Sequence, residues 1–598
     1  MKCQRESQLP KIFRVSASET VVIPPFSEAI IKGNIKGDMS HIQQVIIEPL
    51  SPKLAEMGLI VGKSVVHTDS GQVPLRVLNP GSEEIKLYKH TDTATCEVAK
   101  RIIPVLDPGI PVAEVPDTLR NIKTTENDVD VPEHLRDLWE STHDKLSPEQ
   151  QNIVRKFLWQ YRETFAKSKN DLGCTDIVKH KIDTGNSRPI KQQPRRLPLA
   201  KREMVEAEIK RMLEQGIIEK SSSSWSAPIV LVEKKDKSIR FCCDYRLLNS
   251  VTVRDVYPIP RIDETLDTLK GAQLFSTIDL QSGYHQVMLD DDAKEKSAFC
   301  THVGLFQWRV LSFGLTNAPA TFERMMEAIL GGMHWTHVLV YLDDIIVFAA
   351  DFQTHIQRLS EVFSRLSNAG LKINAKKCQL FRDSVSFLGH IVSSSGISTD
   401  PEKISAVKNW GRPQNIHDIR AFLGTTSYYR KFIKGYAHIA KPLHRLTEKN
   451  KTFTWDLECE KAFEALKEKL ISAPVLAYPD TSKPFLLDCD ASSFAVGAVL
   501  SQIHDDQEHP VAYYSRTLSR TERNYCVTRR ELLAMVEAVK RFHHYLYGFK
   551  FKIRTDHGAL NWLFRSKNHD GQLCRWFQVL ATYDFEIEFR RGKLHGNC

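Results

Sequence analysis

The 598-residue chain has no apolar run long enough to cross a membrane, and Met1-Lys2-Cys3-Gln4-Arg5 starts no signal peptide. These absences read as no membrane association and a cytoplasmic or nuclear setting. Its 12 cysteines are scattered, with no C-x-x-C pair to suggest a zinc site or a disulfide framework. Cys242-Cys243 sit inside an apolar strand pattern, so reduced and mostly buried thiols are expected. Charge of one sign is not in great excess either. With 82 Lys+Arg against 73 Asp+Glu the formal net charge is +9, a basic bias that permits a polyanion partner without demanding one. The length implies several domains, each able to bury its own core.

Residues 1–110 read as a small β-rich module, with Thr20–Ile23, Ile42–Ile47 and Val73–Val77 as short strands between Pro, Gly and Ser breaks. Asp69-Ser70-Gly71 and Asp183-Thr184-Gly185 mimic the aspartic-protease triplet. The first follows His67-Thr68 and the second precedes Asn186-Ser187-Arg188, where a protease triplet needs apolar neighbours, so both read as turns. Residues 111–165 form a polar, acidic linker with two helices. One starts at Ser147-Pro148-Glu149-Gln150, with Ser as N-cap and Pro at the first position, and continues with an apolar stripe of Ile153, Phe157, Leu158 and Tyr161.

The stretch with most chemical content is Val338-Leu339-Val340-Tyr341-Leu342-Asp343-Asp344-Ile345-Ile346-Val347-Phe348. Two apolar, β-branched runs flank a bare aspartate pair, which reads as a buried hairpin with both carboxylates at its tip. A solvated tight turn fits poorly, because no Gly or Asn supplies the positive φ that such turns favour. Adjacent carboxylates beside a core repel each other unless a cation lies between them, and a divalent metal with oxygen ligands is the natural partner. Upstream, Phe275-Ser276-Thr277-Ile278-Asp279 is a further apolar strand ending in an aspartate, followed by Ser282-Gly283-Tyr284-His285; downstream lies Phe313-Gly314-Leu315-Thr316-Asn317-Ala318-Pro319.

Together these ordered blocks resemble the palm of reverse transcriptases, in particular those of gypsy-class long-terminal-repeat retrotransposons, over roughly seven tenths of the chain from Phe165 onward. The resemblance implies a multidomain protein: an α+β right-hand polymerase with fingers and palm (166–400), a thumb (401–447) and a connection (448–482), then an α/β ribonuclease H fold (483–598). It implies that Asp279, Asp343 and Asp344 bind two Mg2+ ions (Mn2+ being an alternative). Lys235 and Arg240, on a hairpin resembling the fingers, match residues that grip a triphosphate. Tyr284 matches the aromatic gate that excludes a 2′-hydroxyl, and Phe313-Gly314 the loop lining the nucleotide pocket, although Ser312 stands where the family has Pro. His285 reads as a packed histidine. Phe387-Leu388-Gly389 (before His390) matches the primer grip. In the thumb, Ile419, Phe422, Leu423, Tyr429, Phe432 and Ile433 form apolar faces, and Arg430 and Lys431 beside them are assigned to the duplex backbone.

Phe485–Ser492, Arg530–Ala534 and Phe551–His557 resemble ribonuclease H, which implies metal-binding, catalytic roles for Asp490 in mid-strand, Glu531 near a helix start and Asp556 at a strand end. Asp488 is expected on the opposite strand face from Asp490. His595-Gly596-Asn597-Cys598 begins a motif whose aspartate would come next, so impaired hydrolysis and a piece of a longer polyprotein are expected. The implied partners are an RNA template, a DNA primer, RNA/DNA hybrid, deoxynucleoside triphosphates and other parts of the polyprotein, in a cytoplasmic retroelement particle or the nucleus. The rival readings are a decayed or co-opted element protein that binds nucleic acid without catalysis, and a DNA-templated repair polymerase. Random decay would strike carboxylates as readily as any residue, yet all six acids are intact, as are Lys235 and Arg240, which favours the enzyme.

Overall fold

The computed structural model describes residues 12–24, 27–36, 44–49, 59–61, 64–67, 72–79, 84–98, 130–233, 239–258, 260–449, 451–565 and 571–590. Asp69-Ser70-Gly71, Lys235 and His595–Cys598 lie outside the described residues, as does the side chain of Arg240. Two compact units separate at Met1–Pro108 and Gly109–Cys598.

The first unit is built on a seven-stranded antiparallel sheet. Its long strand Gln72–Asn79 alternates strictly, with Val73, Leu75, Val77 and Asn79 inward and their neighbours outward, the pattern of a sheet with one covered face. Val15, Ala94 and Cys96 complete that core.

In the second unit the palm is a four-stranded antiparallel sheet in the order Val338–Tyr341, Asp344–Ala349, Leu274–Asp279, Gln379–Arg382. The runs Val338–Tyr341 and Ile345–Ala349 are apolar without interruption because both faces of the sheet are buried there. Val338, Val340, Ile345 and Val347 pack on one side with the helices Ala318–Leu330 and Phe352–Asn368, while Leu339, Ile346, Phe348 and Phe275 pack on the other with the thumb core. A five-stranded sheet holding the hairpin Ala227–Glu233/Ile239–Cys243 forms the fingers side. The helix Pro148–Gln160 has the expected capping box, Ser147 with Gln150. Its buried stripe runs through Val154, Phe157 and Leu158, and Ile153 is exposed instead; a buried position at 154 and not 153 is what a 3.6-residue period through 157 and 158 requires.

The last sheet has five strands, in the order Gln507–Thr517, Ala495–His504, Phe485–Ala491, Phe551–Thr555, Phe585–Phe589, the first three antiparallel and the last two added in parallel. The helix Val527–Arg541 buries Leu532, Val536 and Val539 against it. Six of the ten described cysteines are buried, and Cys174, Cys526 and Cys574 are exposed. No helix among the described residues is long and apolar enough to cross a membrane.

Candidate active sites

In the palm, Asp279 ends its strand directly opposite Asp344, and Tyr341 pairs with Asp344 across the neighbouring ladder. Leu342-Asp343 is therefore a two-residue loop, tighter than expected. The positive φ comes from Leu342 itself, at 55°. A leucine rarely adopts that conformation, and here its N–H donates to the Glu323 carboxylate at 3.0 Å, from a side chain that is 3 % exposed on the helix beneath. Glu323 is thus a functional candidate that no motif marked; an acid in an otherwise apolar helical stripe was its one sequence signal.

Burial raises the carboxyl of Asp343, with the charges of Asp344 and Asp279 adding to it, up to about 6. Asp344 and Asp279 are also raised, by burial first. Lys377 Nζ lies 3.1 Å from Asp279 Oδ2, while Asp279 Oδ1 is buried with no hydrogen-bond partner. The unpaired Asp279 oxygen, on a strand end facing Asp344, is a ligand type that suits a hard divalent cation, although the ligand atoms of Asp279, Asp343 and Asp344 are not gathered within 4.8 Å of one another. Asp279 and Asp344 border a cavity of about 690 Å³ that extends past Lys377 to Phe387, Leu388 and Gly389.

On the other side of the aspartates, Tyr284 is buried with its ring 5.0 Å from Phe313 and 5.2 Å from Phe322. Burial, and then Asp343 and Glu323, raise its phenol, so it stays neutral. Gly314 (φ 93°) is held by Asn249, whose side chain donates to its carbonyl at 2.8 Å. Tyr284, Phe313 and Gly314 therefore come together as one wall. His285 is buried against Trp308 and Phe313, and burial lowers it to about 4, a packed neutral ring. Asp183 accepts from Gly185 N–H at 2.8 Å, the local turn that the sequence pattern implies.

Leu388-Gly389 forms the two-residue loop between Ser384–Phe387 and His390–Ser393. Arg430 is exposed and Lys431 mostly buried, and both have partners within the chain. Arg430 donates to the Ser515 carbonyl at 2.6 Å, and Lys431 pairs with Asp263 at 2.8 Å with its side chain 17 % exposed. Lys431 is paired with an internal acid, whereas Arg430 gives one donor to a carbonyl and keeps the rest of its guanidinium exposed.

The second cluster is compact. Ligand atoms of Asp490, Glu531 and Asp556 all lie within 4.8 Å of one another, and among the described residues no other group of three His, Cys, Asp or Glu meets that standard. Asp490 is the penultimate strand residue and not mid-strand, and Asp556 follows the end of Phe551–Thr555. Burial, then Asp490 and Asp556, push Glu531 up to about 8; its Oε1 accepts from Ala491 N–H while Oε2 is buried and unpartnered. Such a set also fits a divalent cation. Asp488, two residues before Asp490, shares its strand face, contrary to expectation. What removes it from the site is Arg554, opposite it on the parallel neighbouring strand, whose Nε donates to Asp488 at 2.7 Å and whose Nη1 reaches Glu508 at 2.9 Å.

The comparisons with known proteins bear on both sites. A family described as "Reverse transcriptase (RNA-dependent DNA polymerase)" matches residues 232–392, and one described as "RNase H-like domain found in reverse transcriptase" matches residues 455–553. The chain thus carries a reverse transcriptase domain followed by an RNase H-like domain. It is 41% identical over 458 residues to the Retrovirus-related Pol polyprotein from transposon 297 of Drosophila melanogaster, a match covering 75% of this chain and 43% of that protein. It is 38% identical over 460 residues to the corresponding polyprotein from transposon opus, covering 74% and 46%. The chain thus spans less than half the length of these relatives. In fold it is similar to the structure of the foamy viral protease-reverse transcriptase in complex with dsDNA, with a TM-score of 0.70 and 23% identity, covering 78% of this chain and 99% of that one.

Proposed function

We propose that this Pol segment is an RNA-directed DNA polymerase, of a gypsy-class long-terminal-repeat retrotransposon, that extends a DNA primer on an RNA template and degrades the RNA of the resulting hybrid. The observation that carries the reading is the facing of Asp279 and Asp344 across one strand pair, beside Asp343 and at the mouth of the 690 Å³ cavity. Asp279, Asp343 and Asp344 would hold Mg2+ ions, which, when bound, lower the pKa of the primer 3′-hydroxyl and neutralise charge at the reacting phosphate and leaving pyrophosphate. The protein's own part is positional. Glu323 fixes the Leu342 loop and so the direction of both aspartates. Tyr284, backed by Phe313 and Phe322, closes the space beneath the sugar of a deoxynucleoside triphosphate. Arg240, with Lys235 on the same hairpin, grips its phosphates, and Phe387-Leu388-Gly389 seats the primer end. Asp490, Glu531 and Asp556 would hold the cations that activate water in the ribonuclease H site. The matched domains and their order support this reading.

Magnesium-dependent extension of a DNA primer on an RNA template, compared with the Asp343→Asn/Asp344→Asn variant, tests it. Incorporation by the unsubstituted chain that vanishes in the variant is the expected result. An unsubstituted chain that binds the hybrid yet adds no nucleotide overturns the reading in favour of binding without catalysis.

A further inference from the structure

The turn Leu388-Gly389 is strained and held from outside. Leu388 has φ 49° and Gly389 φ 72°, so both loop residues occupy the left-handed region, which a leucine adopts only when its surroundings enforce it. Three donors meet the two carbonyls of this loop. Tyr428 Oη donates to the Leu388 carbonyl at 2.6 Å and Tyr429 Oη to the Gly389 carbonyl at 2.7 Å, while His390 Nδ1 donates to the Leu388 carbonyl at 2.9 Å. The two tyrosines end the thumb helix Ile416–Tyr428, their rings perpendicular at 5.0 Å, and the His390 ring packs on both, at 5.3 and 5.5 Å. The fit is close. A Cβ on Gly389 would stand 3.5 Å from Tyr429 Oη and 3.7 Å from a Tyr428 ring carbon. The same thumb segment is tied down on either side, through Lys431 to Asp263 on the helix Ile262–Asp267 and through Arg430 to the Ser515 carbonyl.

We propose that Tyr428 and Tyr429 are positioning residues that clamp the Leu388-Gly389 turn from the thumb and thereby set where the primer 3′ end lies relative to Asp279 and Asp344. The proposal rests on the polymerase reading above, since the turn and those aspartates border one cavity. Two neutral phenols suit such a clamp, because each adds a single directed O–H to a carbonyl and no charge that would compete with the primer's phosphates. Tyrosine to phenylalanine removes only the hydroxyls and keeps the ring packing, so it separates the clamp from the thumb's core.

The test is Tyr428→Phe/Tyr429→Phe in the full chain, with two readouts. The first is hydrogen exchange at the amides of Phe387–His390, which needs no activity; exchange at least about tenfold faster than in the unsubstituted chain is expected, with the palm strands unchanged. The second is single-turnover extension of a DNA primer on an RNA template. A displaced primer end lowers the extension rate roughly 10- to 100-fold, while the Kd for primer–template stays within about threefold. Gly389→Ala, which strains the turn itself at φ 72°, should reproduce the kinetic effect with both tyrosine hydroxyls still present. Unchanged exchange at the turn overturns the clamp, and so does unchanged extension with accelerated exchange. An unsubstituted chain that adds no nucleotide fails the polymerase reading, while the exchange result still decides whether the tyrosines hold the turn.

Discussion

Removing Arg554 should destabilise the ribonuclease H sheet from within. Asp488 is wholly buried and Arg554 is 7 % exposed, so the pair is out of water on both sides. Arg554→Met leaves the Asp488 carboxylate buried without its guanidinium, a loss of about 3–5 kcal/mol for a broken buried pair. Glu508 loses the same partner, but its side chain is 23 % exposed and Ser501 still donates to it at 2.7 Å, so it adds little. A domain of this size is stable by about 5–15 kcal/mol, and roughly 4 °C of midpoint is lost per kcal/mol. The midpoint of the ribonuclease H transition should therefore fall by about 12–20 °C. The double variant Asp488→Leu/Arg554→Met removes the charge along with its partner and should recover to within about 1–2 kcal/mol of the parent. Hydrogen exchange resolves the two domains, with Phe485–Ala491 as the reporter and Leu274–Asp279 as internal control. If the single and double variants exchange alike, or if the palm strand accelerates equally, the ion pair is not what holds this sheet.

Three further outcomes are expected. Glu531, pushed up to about 8, takes up a proton in the metal-free folded state that the unfolded chain releases near its ordinary carboxyl value. Metal-free stability of the ribonuclease H domain should thus fall as pH rises from about 5 to about 9, and Glu531→Gln should flatten the curve in denaturant titrations at each pH. Glu323→Leu leaves the Leu342 N–H without its acceptor and should lower nucleotide incorporation about tenfold or more, whereas Glu323→Gln, which keeps an acceptor oxygen, should retain most of it in the same primer-extension assay. Tyr284→Ala opens the space under the sugar and should raise ribonucleotide incorporation relative to deoxynucleotide, measured as a ratio of kcat/KM values, while Phe322→Leu behind it should have a smaller effect.

What was legible in the sequence is what a strand end dictates. Asp279 and Asp343 follow apolar runs whose length fixes where each strand stops, and Tyr284 lies a short distance beyond the first, whereas Asp490, expected in mid-strand, is the penultimate residue of Phe485–Ala491. Features made by side chains reaching between distant segments were not legible. Leu342 gives no sign of a positive φ, because the group that makes it tolerable, Glu323, comes from a helix that precedes it. Tyr429 reads as an apolar face and is one, at 2 % exposed, but its hydroxyl also holds a carbonyl 40 residues away. Arg430 and Lys431 show why a charge on an amphipathic segment is ambiguous, since the same pattern serves a phosphate or an internal acid. The strand order of the N-terminal sheet, which places Asp92–Val98 between Ile12–Ala17 and Gln44–Pro49, is likewise set by non-local pairing.

The two carboxylate clusters meet the same like-charge problem in different ways. In the palm, Lys377 lies against Asp279 and supplies a resident positive charge that opposes the upward push of burial on all three acids, and Asp343 is raised to about 6. In the ribonuclease H site no ion pair to the three acids is present among the described residues; Arg530, bonded to the Ser492 carbonyl, lowers Glu531 only as the last of its influences, and Glu531 rises to about 8. At neutral pH Asp343 of the palm is therefore mostly ionised beside an internal counter-ion, whereas Glu531 of the ribonuclease H site holds a proton. A cation entering the palm must displace or tolerate a lysine, and one entering the ribonuclease H site must displace a proton. It follows that cation binding to the ribonuclease H cluster releases protons and strengthens as pH rises toward the Glu531 value of about 8. Binding to the palm releases few over the same range and is instead tightened by Lys377→Met. Calorimetry in buffers of different ionisation enthalpy, on chains carrying either Asp343→Asn/Asp344→Asn or Asp490→Asn/Asp556→Asn, separates the two; equal proton release from both sites would refute the distinction.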